Sequence, residues 1–320
     1  MGRLTVAEMV VRWWHDYAAA ELTHRTLAAY KVIWELHLLP RIGHLQMRQV
    51  TPLIVTRLRN DLHGDGVGAP TIRKGLGMLQ AVWRQAIECE AADNPFRVVR
   101  KPRAPRRIAV VPFTVDQVEA MRRYPAERHG PAEAVLISVL AYMGPRPEDA
   151  LAAEFRHVGK STMLFEQKNV DGVIVPGSKT GERSRSVELL RHVGQDLMEL
   201  RLRAGNPGDG SLLFPRSDGT PWREHDYRNW RTRHFKPAAR AVGMPDARPY
   251  DLRHTYASLR LAEQRLSLRE IADQMGNSLA TLASTYAHVI ADLKGQRPVD
   301  PDVLIARARR PKRSKGRKAS

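Results

Sequence analysis

The run Pro95-Phe96-Arg97-Val98-Val99-Arg100-Lys101-Pro102-Arg103-Ala104-Pro105-Arg106-Arg107-Ile108-Ala109-Val110-Val111-Pro112 divides the chain. Its prolines break helices and favour extended backbone. Arg97, Arg100, Lys101, Arg103, Arg106 and Arg107 make it strongly basic. The segment reads as a linker over 95–112 between two domains, which suits a length of 320 residues. Its charge leaves two readings open: a basic strap laid along a polyanion, or a solvated hinge.

Before the linker, residues 1–94 read as a compact helical unit. Thr5 and Glu8 form a capping box, and Val6, Met9, Val10, Trp13, Trp14 and Tyr17 follow at helical spacing. A second helix spans Thr26 to Leu39, with Leu27, Tyr30, Ile33, Trp34 and Leu38 inward and Pro40 and Gly43 ending it. Thr51-Pro52, an N-cap followed by proline at the first helical position, opens a third helix with Ile54, Val55, Leu58 and Leu62. Gly64, Gly66 and Gly68 mark a loop. A fourth helix then carries Ile72, Leu76, Leu79, Val82, Trp83, Ala86 and Ile87 up to Asn94-Pro95. These aromatics read as core rather than as base-stacking platforms.

After the linker, Thr114 and Gln117 form a second capping box, and 132–142 is a helix apolar enough to be buried. From Met163 to Leu189 the pattern changes. Met163-Leu164-Phe165 and Val173-Ile174-Val175 are short runs separated by Asp171-Gly172, Pro176-Gly177 and Thr180-Gly181, which predicts a small antiparallel sheet. Helices resume at about 188–204, 224–242, 252–263, 268–275 and 279–288. The fold expected is mainly α with a small antiparallel β-sheet. Residues 291–320 form a C-terminal segment that is basic and low in complexity from Arg307 onward.

Lys and Arg number 52 against 34 Asp and Glu, a net charge of +18. The excess is uneven: 17 against 9 in residues 1–112, and 8 against 1 in residues 301–320. A distribution of this kind is the footprint of a polyanion partner, most commonly nucleic acid. The single cysteine, Cys89, excludes an internal disulfide framework and a multi-cysteine zinc site. No apolar run reaches the ~18 residues of a membrane span, and the start lacks a secretory pattern, so the chain is expected in the cytoplasm with no membrane partner. A Gly-rich phosphate loop, His-Glu-x-x-His and Gly-x-Ser-x-Gly are all missing. No metal or cofactor is expected, and phosphate chemistry here would depend on side-chain cations.

Three segments answer that need. In Ala141-Tyr142-Met143-Gly144-Pro145-Arg146-Pro147-Glu148-Asp149-Ala150-Leu151, a buried helix ends at glycine and delivers Arg146. Tyr250-Asp251-Leu252-Arg253-His254-Thr255-Tyr256-Ala257-Ser258 places Arg253 near a helix N-terminus. Ile271-Ala272-Asp273-Gln274-Met275-Gly276-Asn277-Ser278 is followed by Thr285-Tyr286-Ala287-His288-Val289. In order and spacing these segments resemble the tyrosine recombinase (phage integrase) family, and the resemblance covers nearly the whole chain. It implies that 1–94 is a SAM-like core-binding domain and 113–290 the catalytic domain, without a separate arm-binding domain, the two forming a C-shaped clamp on DNA. It further implies strand cutting and rejoining through a 3′-phosphotyrosyl link, with double-stranded DNA as partner and the linker cations among its contacts. Protomers would act as a dimer per site and a tetramer on paired sites, with accessory DNA-bending or directionality proteins as further partners.

By the same resemblance, Arg146 and Arg253 match the two arginines that hold the phosphate. Physical chemistry agrees, because a planar, permanently charged fork suits the nonbridging oxygens of a pentavalent transition state. Tyr286 matches the nucleophile, a phenol of ordinary pKa about 10 that must be activated. Lys179, in Pro176-Gly177-Ser178-Lys179-Thr180-Gly181, matches a hairpin lysine able to protonate the departing 5′ hydroxyl, with Lys168 as the alternative. Asp149 matches an acidic orienting position, and His254 is expected beside it in support. Two positions depart from the pattern. Tyr250 stands where the family has histidine, and Asn277 where it has histidine or tryptophan. Both can hydrogen-bond a phosphate, but neither is a base near neutrality. The departures keep two rivals in play: a catalytically impaired DNA-binding regulator on this scaffold, and a type IB topoisomerase-like enzyme.

Overall fold

The capping box at Thr5 forms as its residues require. Thr5 Oγ1 accepts from the Glu8 N–H at 3.2 Å, and Glu8 Oε2 accepts from the Thr5 N–H at 2.8 Å. It starts α1 (Val6–Trp13), whose Val6, Met9, Val10 and Trp13 are buried. A π-helical turn at Trp14–Ala18 then leads to α2 (Ala19–Glu21). The wider turn shifts the side chains out of α phase, so Tyr17 is 43% exposed rather than in the apolar face. A similar turn at Trp34–Leu38 joins α3 (His24–Ile33) to α4 (Leu39–Ile42). Pro40, expected to end the helix, therefore lies inside the helical run. Five-residue bonding accommodates a residue that lacks an N–H and would crowd the preceding turn.

These helices pack with α5 (Pro52–Gly64) and α6 (Ala69–Glu88) around one apolar core. The structure, a computed structural model, describes residues 4–88, 94–103, 111–126, 130–177, 184–293 and 295–310. It divides into two units, Met1–Ile108 and Ala109–Ser320. The linker expected from Pro95 onward is partly folded onto the first unit. Phe96 is buried with its ring 4.9 Å from Trp83, and Asn94 Nδ2 donates to the Gln80 carbonyl. Arg59 and Arg73 donate to the carbonyls of Arg100 and Pro102, and Lys101 Nζ to Gln80 Oε1. Composition left strap and hinge both open; one large apolar side chain with a socket ties this part of the segment to the first unit.

The second unit is built around α8 (Pro131–Tyr142), buried from Ala134 to Tyr142. A helix apolar on every side belongs inside. It packs against α7 (Val115–Ala126), α10 (Arg191–Arg203) and α13 (Pro249–Glu263). Its C-terminus leads through Gly144 into α9 (Pro147–Ala150). Four strands follow: β1 (Thr162–Phe165), β2 (Gln167–Val170), β3 (Val173–Pro176) and β4 (Arg185–Glu188). They form two antiparallel ladders rather than one sheet. β1 pairs with β4, Met163 opposite Val187, and β2 with β3, Lys168 opposite Val175. The chain leaves the first ladder at Glu166, whose carbonyl accepts from the Gly177 N–H.

Beyond them lie α11 (Glu224–Trp230), α12 (Lys236–Ala241), α14 (Leu268–Met275), α15 (Leu279–Asp292) and α16 (Pro301–Arg309). The last corrects the expectation of a low-complexity tail from Arg307. Ile305 is fully buried, and Arg309 pairs with Glu119 and Asp196 at 3.0 and 2.8 Å. Asp302 accepts from the N–H groups of Arg191 and His192 at the start of α10. Local charge is high here, but Arg309 in the last turn is matched by carboxylates on two other helices. Residues 311–320 lie outside the described residues. No helix among the described residues is long and apolar enough to cross a membrane.

Candidate active site

α13 opens with Arg248 as N-cap and Pro249 at its first position, so Arg253 lies on its second turn. The Arg253 side chain is 1% exposed. Its Nη1 donates to the Gly144 carbonyl at 2.5 Å, and its Nη2 to the Met275 carbonyl and to Asn277 Oδ1, the latter at 3.0 Å. All three acceptors are neutral. Burial, with Arg146 and Arg185 nearby, lowers its pKa to about 10, so the guanidinium remains charged at neutral pH.

The C-terminal turn of α14 gathers the other cations. Arg146 Nη2 donates to the Gly276 carbonyl at 3.0 Å, while its own N–H is held by Asp149 Oδ2 at 3.1 Å. The Met275 carbonyl also accepts from Arg185 Nη1 at 3.4 Å, and Arg185 Nη2 is ion-paired with Asp149. Helix C-terminal carbonyls carry partial negative charge and lack intrahelical donors, so three guanidiniums can be held there without neutralisation of each by its own carboxylate. Arg146, Glu148, Asp149, Lys168, Gly177, Arg185 and Gly276 line a cleft of about 280 Å³.

Arg185 was missed by reading the sequence. A signal was there: in β4 it alternates inward with Val187, and an arginine at an inward strand position demands a buried acidic partner. Gly276 depends on it. Its φ is +63°, and a Cβ there would lie 2.5 Å from Arg185 Nη1 and 2.8 Å from Arg185 Cδ. Gly276→Ala should therefore displace Arg185 and lower stability by about 1–3 kcal/mol. Thermal melts measure this, and a variant melting with the parent would show that this packing does not hold the arginines.

Tyr286 sits at a break in α15, with φ −110° and ψ 17°. Its ring is 1% exposed, and its hydroxyl lies 2.5 Å from His254 Nδ1. Burial pushes the phenol well above its ordinary pKa, partly offset by the Arg253 charge. His254 moves the other way: burial lowers its pKa, so the ring is neutral near pH 7. Tyr250, one turn before His254, is 39% exposed and meets the imidazole edge-on at 5.6 Å. The Arg253 guanidinium carbon lies 5.9 Å from the Tyr250 ring centre.

Of the residues singled out by sequence, the structure thus brings together Arg146, Asp149, Arg253, Asn277, His254, Tyr250 and Tyr286. His254, expected in support beside Asp149, has its Nδ1 against the Tyr286 hydroxyl. Lys179 lies outside the described residues, as do Arg106 and Arg107. Arg97, Arg100 and Arg103 are exposed, whereas Lys101 is half-buried against Gln80.

The phage integrase N-terminal SAM-like domain family matches residues 5–63. A putative prophage phiRv2 integrase of Mycobacterium tuberculosis (strain ATCC 25618 / H37Rv) is 27% identical over 271 residues, covering 82% of this chain and 70% of its own length. Tyrosine recombinase XerC of Ralstonia pickettii (strain 12J) is 25% identical over 294 residues, 86% of each chain. Among solved structures, the Tn1549 transposon integrase in complex with transposon right end DNA shares the fold, with a TM-score of 0.74 at 18% identity over 91% of this chain and 97% of that one. The match of the first unit, the relatives spanning both units and the ordered arginines and tyrosine of the second agree, and together they support a tyrosine recombinase of the phage integrase kind.

Proposed function

We propose that this recombinase cuts one DNA strand by attack of Tyr286 on a phosphate and rejoins the end to a partner strand. One observation carries the assignment of roles. Arg253 is held by neutral oxygens only among the described residues, so its charge stays available to an anion placed against it. Arg146 and Arg253 would stabilise the charge that develops on the nonbridging oxygens. Asp149 and Arg185 position them, and Asn277 fixes Arg253. The covalent phosphotyrosyl bond keeps the energy of the broken phosphodiester, so rejoining needs no nucleotide. Lys179 is assigned the protonation of the departing 5′ oxygen, with Lys168 in the cleft as the alternative.

The partner is duplex DNA, with the first unit as the core-binding domain and the second as the catalytic domain. The protein assembles on it with copies of itself. Each protomer brings one such tyrosine, and exchange of both strands of two duplexes takes four cleavages, so a tetramer built from one dimer per site is the working assembly. A nicked duplex carrying the repeat that flanks the coding sequence should trap a covalent adduct. A two-site assay should then give recombinant product. An adduct without product would point to a relaxing enzyme, and neither would point to a regulator.

The linker charge gives a separate expectation. Affinity should fall with log[salt] at a slope of about −0.9 per neutralised phosphate. Replacing exposed Arg97, Arg100 and Arg103 by alanine should make the slope shallower, while Lys101→Ala, whose amine is engaged by Gln80, should change it less. Anisotropy titrations at several salt concentrations decide; an unchanged slope in the triple variant removes the linker from the interface.

A further inference from the structure

The family histidine three residues before the second arginine is Tyr250 here, so the site lacks a base at that position. The geometry points to His254 as the group that takes the proton of Tyr286 during strand cleavage, with its Nδ1 2.5 Å from the tyrosine hydroxyl. This rests on Tyr286 being the nucleophile. In the neutral ring bearing its proton on Nε2, Nδ1 accepts from the hydroxyl. As the tyrosine oxygen bonds to phosphorus, its proton moves to Nδ1 and leaves an imidazolium. The phosphorus–O5′ bond breaks, and the 5′ oxygen takes its proton from the lysine ammonium. Rejoining runs the same transfers backwards, so protons balance over a full cycle.

Three features support the assignment. Residues 250 and 254 share one face of α13, four positions apart, and α15 presents Tyr286 to that face, the rings of His254 and Tyr286 lying 5.6 Å apart. Burial keeps His254 uncharged near pH 7 and raises the phenol, so the tyrosine does not ionise by itself. Tyr250 meets the imidazole edge-on, its ring centre 5.6 Å from that of His254. The charged and titratable groups facing His254 are Tyr286 from α15 and Tyr250, Asp251, Arg253 and Arg248 from α13. Asp251 favours the imidazolium, and the two arginines oppose it. A histidine that only packed would need none of this alignment.

The test uses the full chain and the nicked flanking-repeat duplex, following the rate of adduct formation after binding is complete. His254→Asn, which keeps a polar group near Nδ1 but takes up no proton, should bind DNA normally and cleave about 10²–10⁴-fold more slowly. Wild-type cleavage should fall as pH drops through the imidazole range, between about pH 7 and 5, and His254→Asn should lose that limb. Added imidazole should partly restore His254→Ala. If the variants misfold, the wild-type pH profile decides alone, and a flat profile overturns the assignment. It is also overturned if His254→Asn cleaves within about threefold of wild type. An adduct formed equally by Tyr286→Phe would instead sink the nucleophile reading on which it rests.

Discussion

Tyr286→Phe should bind duplex DNA as the parent does and form no covalent adduct on a nicked substrate. The phenyl ring keeps the packing that buries Tyr286 to 1% exposure, and only the attacking oxygen is lost. His254 Nδ1 then loses its partner, an unsatisfied polar atom costing about 1–3 kcal/mol where water cannot reach it. A modest drop in melting temperature with unchanged affinity is therefore expected alongside the loss of chemistry. A denaturing gel of the nicked substrate reads the adduct directly. Normal adduct from this variant would remove Tyr286 from the reaction, and the exposed hydroxyl of Tyr250 would be examined next.

The second large effect separates the two arginines. Arg253→Ala should lose at least about 10²–10³-fold in cleavage, the scale of removing a preorganised donor from a developing charge. It should also destabilise the protein, since the carbonyls of Gly144 and Met275 and the Asn277 side chain lose their shared donor. Arg146→Ala should lose cleavage on a similar scale with a smaller effect on stability, because its side chain is 35% exposed. Asn277→Ala should cost less than either, since Arg253 retains two carbonyl acceptors. Single-turnover cleavage and thermal melts together give the comparison. Arg253→Ala within about tenfold of the parent rate would take it out of the reacting centre.

Much of the fold was legible in the chain because its signals are local. The boxes at Thr5 and Thr114, proline after Thr51 and the apolar period of residues 132–142 each act within a turn or two, and the corresponding helices stand where these marks lie. The failures were also local in form but tertiary in cause. Two π-helical turns carry the chain through Tyr17 and Pro40 where an α-helical period was read. Phe96 folds part of a proline-rich linker onto Trp83, and α16 orders residues that composition alone marks as tail.

The site divides the same way. Arg146, Arg253 and Tyr286 were marked by the resemblance of the short motifs around them to those of the tyrosine recombinases. What holds them was not readable. Arg253 reaches Gly144 across 109 positions, Arg146 reaches Gly276 across 130, and Arg185 reaches Met275 across 90. No periodicity links partners so far apart, and a carbonyl acceptor carries no side-chain signature in the sequence. The sequence by itself therefore determined the helical elements and the residue types able to do phosphoryl transfer. Only the tertiary structure decided that one helix C-terminus collects the guanidiniums and that His254, not position 250, meets the tyrosine hydroxyl, because both depend on packing between separate elements of the chain.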